Sequence, residues 1–138
     1  MTETVHASAV SWQGRGMLIQ GASGTGKSAL ALELMALGAN LIADDRVQLS
    51  RRADQVIASC PPTLRGMIEA RGLGILRARP AGPAPLCCVV DLDQSSESRL
   101  PLMQNVTFLG CMLPLIQRPF SVSCAPALLQ YLRAGRIA

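Results

Sequence analysis

The residues best placed to do chemistry are Gly21-Ala22-Ser23-Gly24-Thr25-Gly26-Lys27-Ser28, which fit the pattern G-x-x-x-x-G-K-[ST]. Glycines at these spacings let the backbone curl so that successive N–H groups point inward at phosphate oxygens. A following helix N-terminus adds partial positive charge to the same spot. Lys27 is then placed to reach β- and γ-phosphates, and Ser28 to offer its hydroxyl to a magnesium ion. The flanks agree with that use. Gly16 to Gln20 is a short apolar run that reads as a buried strand, and Ser28 to Leu37 is rich in strong helix formers, with Gly38 placed to end the helix. A chance glycine turn before a helix is the competing reading. Motif and strand–loop–helix context together favour binding of a nucleoside triphosphate.

Two further groups could share that chemistry. Asn40 to Ala43 reads as an apolar strand running into Asp44-Asp45. Carboxylates at a strand end beside a phosphate loop are where such folds hold magnesium or a catalytic base. Adjacent residues of a strand point to opposite faces, so the pair can divide those roles; a solvated acidic turn is the alternative. The segment Ile68 to Leu76 embeds Glu69 and Arg71 among apolar residues, where charges are costly unless paired or used. The one histidine, His6, falls in a predicted strand over Val5 to Val10, where spacing alone favours a packed or surface residue.

The elements that must position these groups follow from the rest of the chain. The 138 residues make one domain, expected to span 1–138, and 49% apolar residues suffice for a core. Aromatics are only 3%, which counts against a stacking surface for nucleic acid. The formal charge is +4, and six arginines (46, 51, 52, 65, 71 and 77) fall in one stretch, either a solvated surface or an attraction for phosphates or an acidic partner. Arg46 to Ser50 and Gln55 to Ala58 are expected to pair as a hairpin. Leu86 to Leu92 reads as a second buried strand, Val106 to Leu109 and Met112 to Ile116 as further strands, and Ala125 to Arg133 as a closing helix. The Ser28 to Leu37 helix is apolar nearly all round, which predicts cover on more than one side and raises the expectation of an oligomer contact. Five cysteines without C-x-x-C spacing read as free buried thiols in a reducing compartment. With no signal peptide pattern and no run of 18 apolar residues, a cytoplasmic protein without a membrane span is expected. The fold class implied is α/β, a P-loop domain with a mixed sheet.

On these residues the sequence resembles the HPr kinase/phosphorylase family, from about Val5 to Arg99 and more faintly beyond. Gly21 through Asp45 forms one continuous match, with the family's I-A-D-D at Ile42 to Asp45. The family signature L-E-[IV]-R-G-[LI]-G-I appears as Ile68-Glu69-Ala70-Arg71-Gly72-Leu73-Gly74-Ile75. The resemblance implies a kinase fold like that family's C-terminal domain, ATP and Mg²⁺ as cofactors, and an HPr-like phosphocarrier as the protein substrate. It implies that His6 belongs to the active site, and that Asp45 takes the proton from the target serine. Ser28 and Glu69 would serve magnesium, Asp44 would support Asp45 or the metal, and Arg99 would stabilise the transferring phosphate. A hexameric homo-oligomer is implied by the same route.

Three departures shape the expectation. The chain begins almost at His6, which suggests a short form without a separate N-terminal domain. A proline- and alanine-rich stretch, Ala78 to Pro85, replaces the glycine-rich segment after the signature. The family's basic P-[VI]-R-P-G-[RK]-N segment, tied to dephosphorylation, is reduced to Gln117-Arg118-Pro119-Phe120-Ser121. Kinase activity is therefore expected, with phosphorylase activity weak or absent. The rival functions are a small-molecule or carboxykinase-like phosphotransferase and a non-catalytic nucleotide sensor.

Overall fold

A computed structural model describes residues 1–119 and 124–138. In chain order the elements are β1 (Thr2–Val5), β2 (Ser8–Trp12), β3 (Arg15–Gln20), α1 (Lys27–Ala36), β4 (Asn40–Ala43), β5 (Val47–Arg52), β6 (Gln55–Ser59), β7 (Met67–Ala70), β8 (Gly74–Arg77), β9 (Ala84–Ser96), β10 (Gln104–Phe108), β11 (Cys111–Pro119) and α2 (Cys124–Ala134). Phe120 and Ser121 of the reduced basic segment lie outside the described residues.

One nine-stranded mixed sheet organises the chain, and β9 is its bridge. Its first residues, Ala84 and Pro85, pair antiparallel with β6. From Leu86 to Asp91 it runs parallel to β3, and from Val89 onward parallel to β11. On one side the order continues through β3 to β2 and β4, on the other through β6 to β5 and β1. The expected β5–β6 hairpin is present, with Arg52 opposite Gln55.

Alternation along β3 and β9 builds two cores from the two faces of the sheet. Met17, Ile19, Cys88 and Val90 pack against Leu30, Ala31 and Leu34 of α1 and Leu128, Leu129 and Leu132 of α2. Leu18 and Val89 face the other way, onto Val47, Leu49, Val56 and Ala58. Thus helices, main sheet and antiparallel strands form three layers. The cover expected for α1 comes from within the chain, from β2, β3, β4, β7 and α2. The six arginines between 46 and 77 are all exposed, as a solvated surface requires.

Two local expectations need correction, and one segment takes a form the sequence left open. The predicted strand Val5 to Val10 is broken: β1 ends at Val5 and β2 starts at Ser8, with His6 in the bend between them. There Ala7 N–H donates to the Asp45 carbonyl at 3.2 Å, a long-range bond that spacing could not reveal. Residues 67–77 form a separate two-stranded hairpin, β7–β8, turning at Arg71 to Leu73. Of the cysteines, all free, only Cys88 and Cys111 are fully buried, and Cys60, Cys87 and Cys124 are half-buried. Among the described residues no helix is long and apolar enough to cross a membrane.

Cys88 ties the sheet to pH. Burial, with the neighbouring Cys87 adding to it, pushes its thiol up from 9.0 to about 12, against a small opposing pull from Arg15. Between those values the unfolded chain has lost this proton and the folded chain still holds it. Stability therefore falls as pH rises from about 9 toward 12, by about 1.4 kcal/mol per pH unit from this group. Burial pushes Cys60, Cys124 and Tyr131 up as well, which adds to the fall. Urea midpoints measured from pH 8 to pH 11 should decline, and Cys88→Ala should flatten the decline by about that slope.

Candidate active site

The phosphate loop leaves β3 at Gln20 and ends on the first turn of α1. Its shape needs glycine at two places. Gly26 caps the helix with φ 99°, a left-handed conformation. Gly21 has φ 152°, and a Cβ there would stand 2.7 Å from Thr25 Oγ1. The loop closes on itself, because Thr25 donates to the Ala22 carbonyl from both its N–H (3.2 Å) and its hydroxyl (2.7 Å). Buried Lys27 crosses the loop, its Nζ donating to the carbonyls of Gly21 (2.8 Å) and Ala22 (3.2 Å). The amides of Gly24, Gly26, Lys27 and Ser28 find no acceptor among the described residues. Four free donors at a helix N-terminus make a nest for an anion, phosphate above all.

Asp44 is the centre of the wall beside the loop. It is buried, and its Oδ1 accepts from Ser8 Oγ and from Ser28 Oγ, each at 2.7 Å. Its Oδ2 accepts the Glu69 N–H at 3.0 Å. One carboxylate thereby joins β2, α1 and β7. Asp45 does not continue the strand to the opposite face, as the sequence suggested. The strand stops at Ala43, and Asp45 adopts φ 73°, a left-handed conformation that Asp tolerates better than most residues. The turn presents Asp45 outward, where its Oδ1 lies 3.4 Å from His6 Nδ1, both side chains being more than half exposed.

A cavity of about 470 Å³ gathers these parts. Ser23, Gly24, Gly26, Lys27 and Ser28 form one wall, His6, Ser8 and Asp45 another, and Glu69, Ala70 and Arg71 of the hairpin a third. The separate hairpin thus has a use: it stands over the loop, anchored by buried Ile68 and the bond to Asp44. Arg99 is not brought here. It lines a second cavity of about 530 Å³, with Leu102, Met103, Tyr131 and Arg136. Arg118 touches the loop from outside this cavity, its Nη2 donating to the Thr25 carbonyl at 2.5 Å.

A hard divalent cation fits the oxygen donors present. Among the described residues no three His, Cys, Asp or Glu side chains converge on one point. Magnesium needs no such cage, since it keeps several waters and takes one or two protein oxygens plus substrate phosphate. The Ser28 hydroxyl bonded to Asp44 provides that arrangement at the loop. The exposed Glu69 side chain stands on the facing wall of the cavity.

Sequence reasoning passed over Ser8, Arg71 as a cavity residue, and Asp93, whose Oδ1 accepts the Ala22 N–H at 2.9 Å. Ser8 carried one faint signal, being two residues from His6 in an apolar run. Asp93 was visible only as a carboxylate at the end of a buried strand.

Comparison with known proteins gives the same result over most of the chain. The family model for the HPr Serine kinase C-terminal domain matches residues 1–81. The chain is 52% identical over 79 residues to the HPr kinase/phosphorylase of Bordetella petrii, covering 56% of this chain and 26% of that protein. With the HPr kinase/phosphorylase of Azoarcus sp. it is 39% identical over 120 residues, 77% of this chain and 38% of the relative. It thus spans between about a quarter and two fifths of the length of these relatives. The fold superposes on the Hpr(Ser) kinase/phosphatase of Coxiella burnetii with a TM-score of 0.77 and 26% identity, over 95% of this chain and 93% of that one. With loop, acidic pair and signature hairpin all inside the matched region, the chain belongs to the HPr serine kinase C-terminal domain family.

Proposed function

We propose that the chain is the catalytic domain of an ATP-dependent protein-serine kinase that phosphorylates an HPr-like phosphocarrier protein in the cytoplasm, working as a homo-oligomer. The observation that carries this reading is the single cavity into which the phosphate loop, the His6–Asp45 pair and the signature hairpin all face. A nucleotide sensor would need the loop, but not an exposed carboxylate–imidazole pair across from it. A small-molecule kinase would gain nothing from a hairpin that carries exposed Leu73 and Ile75 beyond the residues lining the cavity.

In this reading the free amides of Gly24, Gly26, Lys27 and Ser28 hold the β- and γ-phosphates, and Lys27 exchanges loop carbonyls for phosphate oxygens. Ser28, Asp44 and Glu69 would hold magnesium, which would supply positive charge at the phosphate oxygens. Asp45 takes the proton from the attacking serine hydroxyl, and His6 steadies that carboxylate. Arg71 is the arginine on the cavity wall. Arg99 lines the second cavity, so a role for it at the transferring phosphate would require the segment after β9 to come over the first. Because catalysis here is mostly positioning, the arrangement of these groups matters more than the basicity of any one.

Incubating the protein with γ-labelled ATP, magnesium and an HPr-like carrier should label a carrier serine. Lys27→Ala should lower ATP affinity or turnover ten-fold or more, consistent with the roughly 1.5–3 kcal/mol of a charged hydrogen bond. Transfer by neither protein, with ATP still bound, would favour the sensor.

The roles of Asp45 and Ser28 separate by substitution. Asp45→Asn keeps its size but cannot accept the proton, so nucleotide binding should persist while transfer drops by about 10²–10⁴-fold. Ser28→Ala should instead weaken binding of magnesium–ATP relative to metal-free ATP. Transfer at the wild-type rate by Asp45→Asn would move the base elsewhere.

The forward direction is favoured. Phosphorolysis must hold inorganic phosphate against a phosphoserine, and two such anions need more than one fixed cation. Arg118 is engaged by the Thr25 carbonyl and does not line the cavity. With phosphoserine carrier, millimolar phosphate and magnesium, pyrophosphate release should be far slower than forward transfer. Equal rates would mean that Lys27 and Arg71 suffice.

A further inference from the structure

The phosphate loop is gripped from behind by two side chains of opposite charge. Asp93, on β9, accepts the Ala22 N–H, and Arg118, on β11, donates to the Thr25 carbonyl. Ala22 and Thr25 are the two residues whose mutual bonds close the turn of the loop. The two strands run parallel and adjacent, but their register slips between Gln117 and Arg118. Gln117 stands opposite Asp91 while Arg118 stands opposite Ser95, so Leu92, Asp93 and Gln94 bulge out of the ladder. Within that bulge Asp91 Oδ1 accepts the Asp93 N–H at 2.9 Å. The bulge re-aims the Asp93 carboxylate at the loop, as bulges commonly do beside active sites.

We propose that Asp93 and Arg118 are positioning residues that clamp the phosphate loop in its phosphate-receiving conformation. The physical basis is the planarity of the trans peptide, which sets N–H opposite to C=O. Arg118 draws the Thr25 carbonyl toward β11, outside the cavity, and the Gly26 N–H of the same peptide plane must then point the other way. Asp93 holds the other end of the turn by its outward N–H. Neither side chain is among those lining the cavity, and each reaches the loop through its backbone. The opposite charges also matter. A lone carboxylate this close to an anion site would repel phosphate, and Arg118 beside the same turn offsets it.

The clamp deepens the nucleotide-binding reading and rests on it, so its test needs one readout with nucleotide and one without. In the free protein, NMR exchange should show the Ala22 amide protected, and Asp93→Ala should lose that protection while the urea midpoint stays near wild type. With ADP as the probe, Asp93→Ala and Arg118→Met should each bind about ten-fold more weakly, the size of one charge-assisted hydrogen bond. Asp93→Asn and Arg118→Lys, which keep an acceptor and a donor, should recover to within about three-fold. The double variant should lose less than the sum, because both residues fix one turn. In turnover, the KM for ATP should rise about ten-fold with kcat changed far less, the pattern of lost binding. Unchanged Ala22 exchange in Asp93→Ala, or tighter ADP binding by it, overturns the clamp. Protection of Ala22 in a wild-type protein that binds no ADP supports the clamp and overturns the nucleotide reading instead.

Discussion

The site depends on the buried carboxylate of Asp44. Taking a carboxylate out of water is costly unless donors replace the water, and here three do: Ser8, Ser28 and the Glu69 N–H. Each donor comes from a different element, so the bonds fix strand β2, the start of α1 and the hairpin β7 relative to one another. The serine after the loop lysine is held by the same oxygen that holds Ser8. The hairpin needs this tether. Two strands alone are marginal in water, and β8 is exposed along its whole length. Ile68 in the core and Glu69 N–H on Asp44 secure β7 at two successive residues.

The sheet explains why the loop sits where it does. Strands β3, β9 and β11 run parallel and side by side, so their carboxyl ends come together at one edge. Ligands of open α/β sheets bind at such edges, outside the carboxyl ends of the strands. From that edge β3 supplies the loop itself, β9 supplies Asp93 and β11 supplies Arg118. The helix that follows the loop is pinned by Leu30, Ala31 and Leu34 in the core, so its N-terminus and free amides are held in place by packing. The slip in register between β9 and β11 places two charged side chains behind the loop without exposing the core.

Much of this was legible in the residues. The loop pattern, its flanking strand and helix, β4 with both its boundaries, the β5–β6 hairpin and the buried strand at Leu86 to Leu92 all follow from local periodicity and turn chemistry. The resemblance gave His6 and Glu69 their roles, and the cavity does gather them with Lys27, Ser28 and Asp45. Where the reading strayed, a distant contact was at work. The run Val5 to Val10 breaks because Ala7 bonds to the Asp45 carbonyl. The acidic pair divides into an inward and an outward residue because Asp45 takes a left-handed turn, and not because a strand alternates.

What the sequence determined by itself is the chemistry carried within short windows: an anion nest, its lysine and its serine are consecutive residues, and their geometry is set by glycine conformation and by the helix that follows. Which carboxylate is buried, which cation faces the cavity and what holds the loop from behind depend on residues dozens of positions apart. Asp44 is 36 residues from Ser8 and 25 from Glu69, and Arg118 is 93 from Thr25. Such partners meet only after the parallel strands pair and the two cores close, and no local pattern in a single sequence records that pairing. Tertiary structure therefore decided that Arg99 lies in the second cavity while Arg71 stands on the wall of the first.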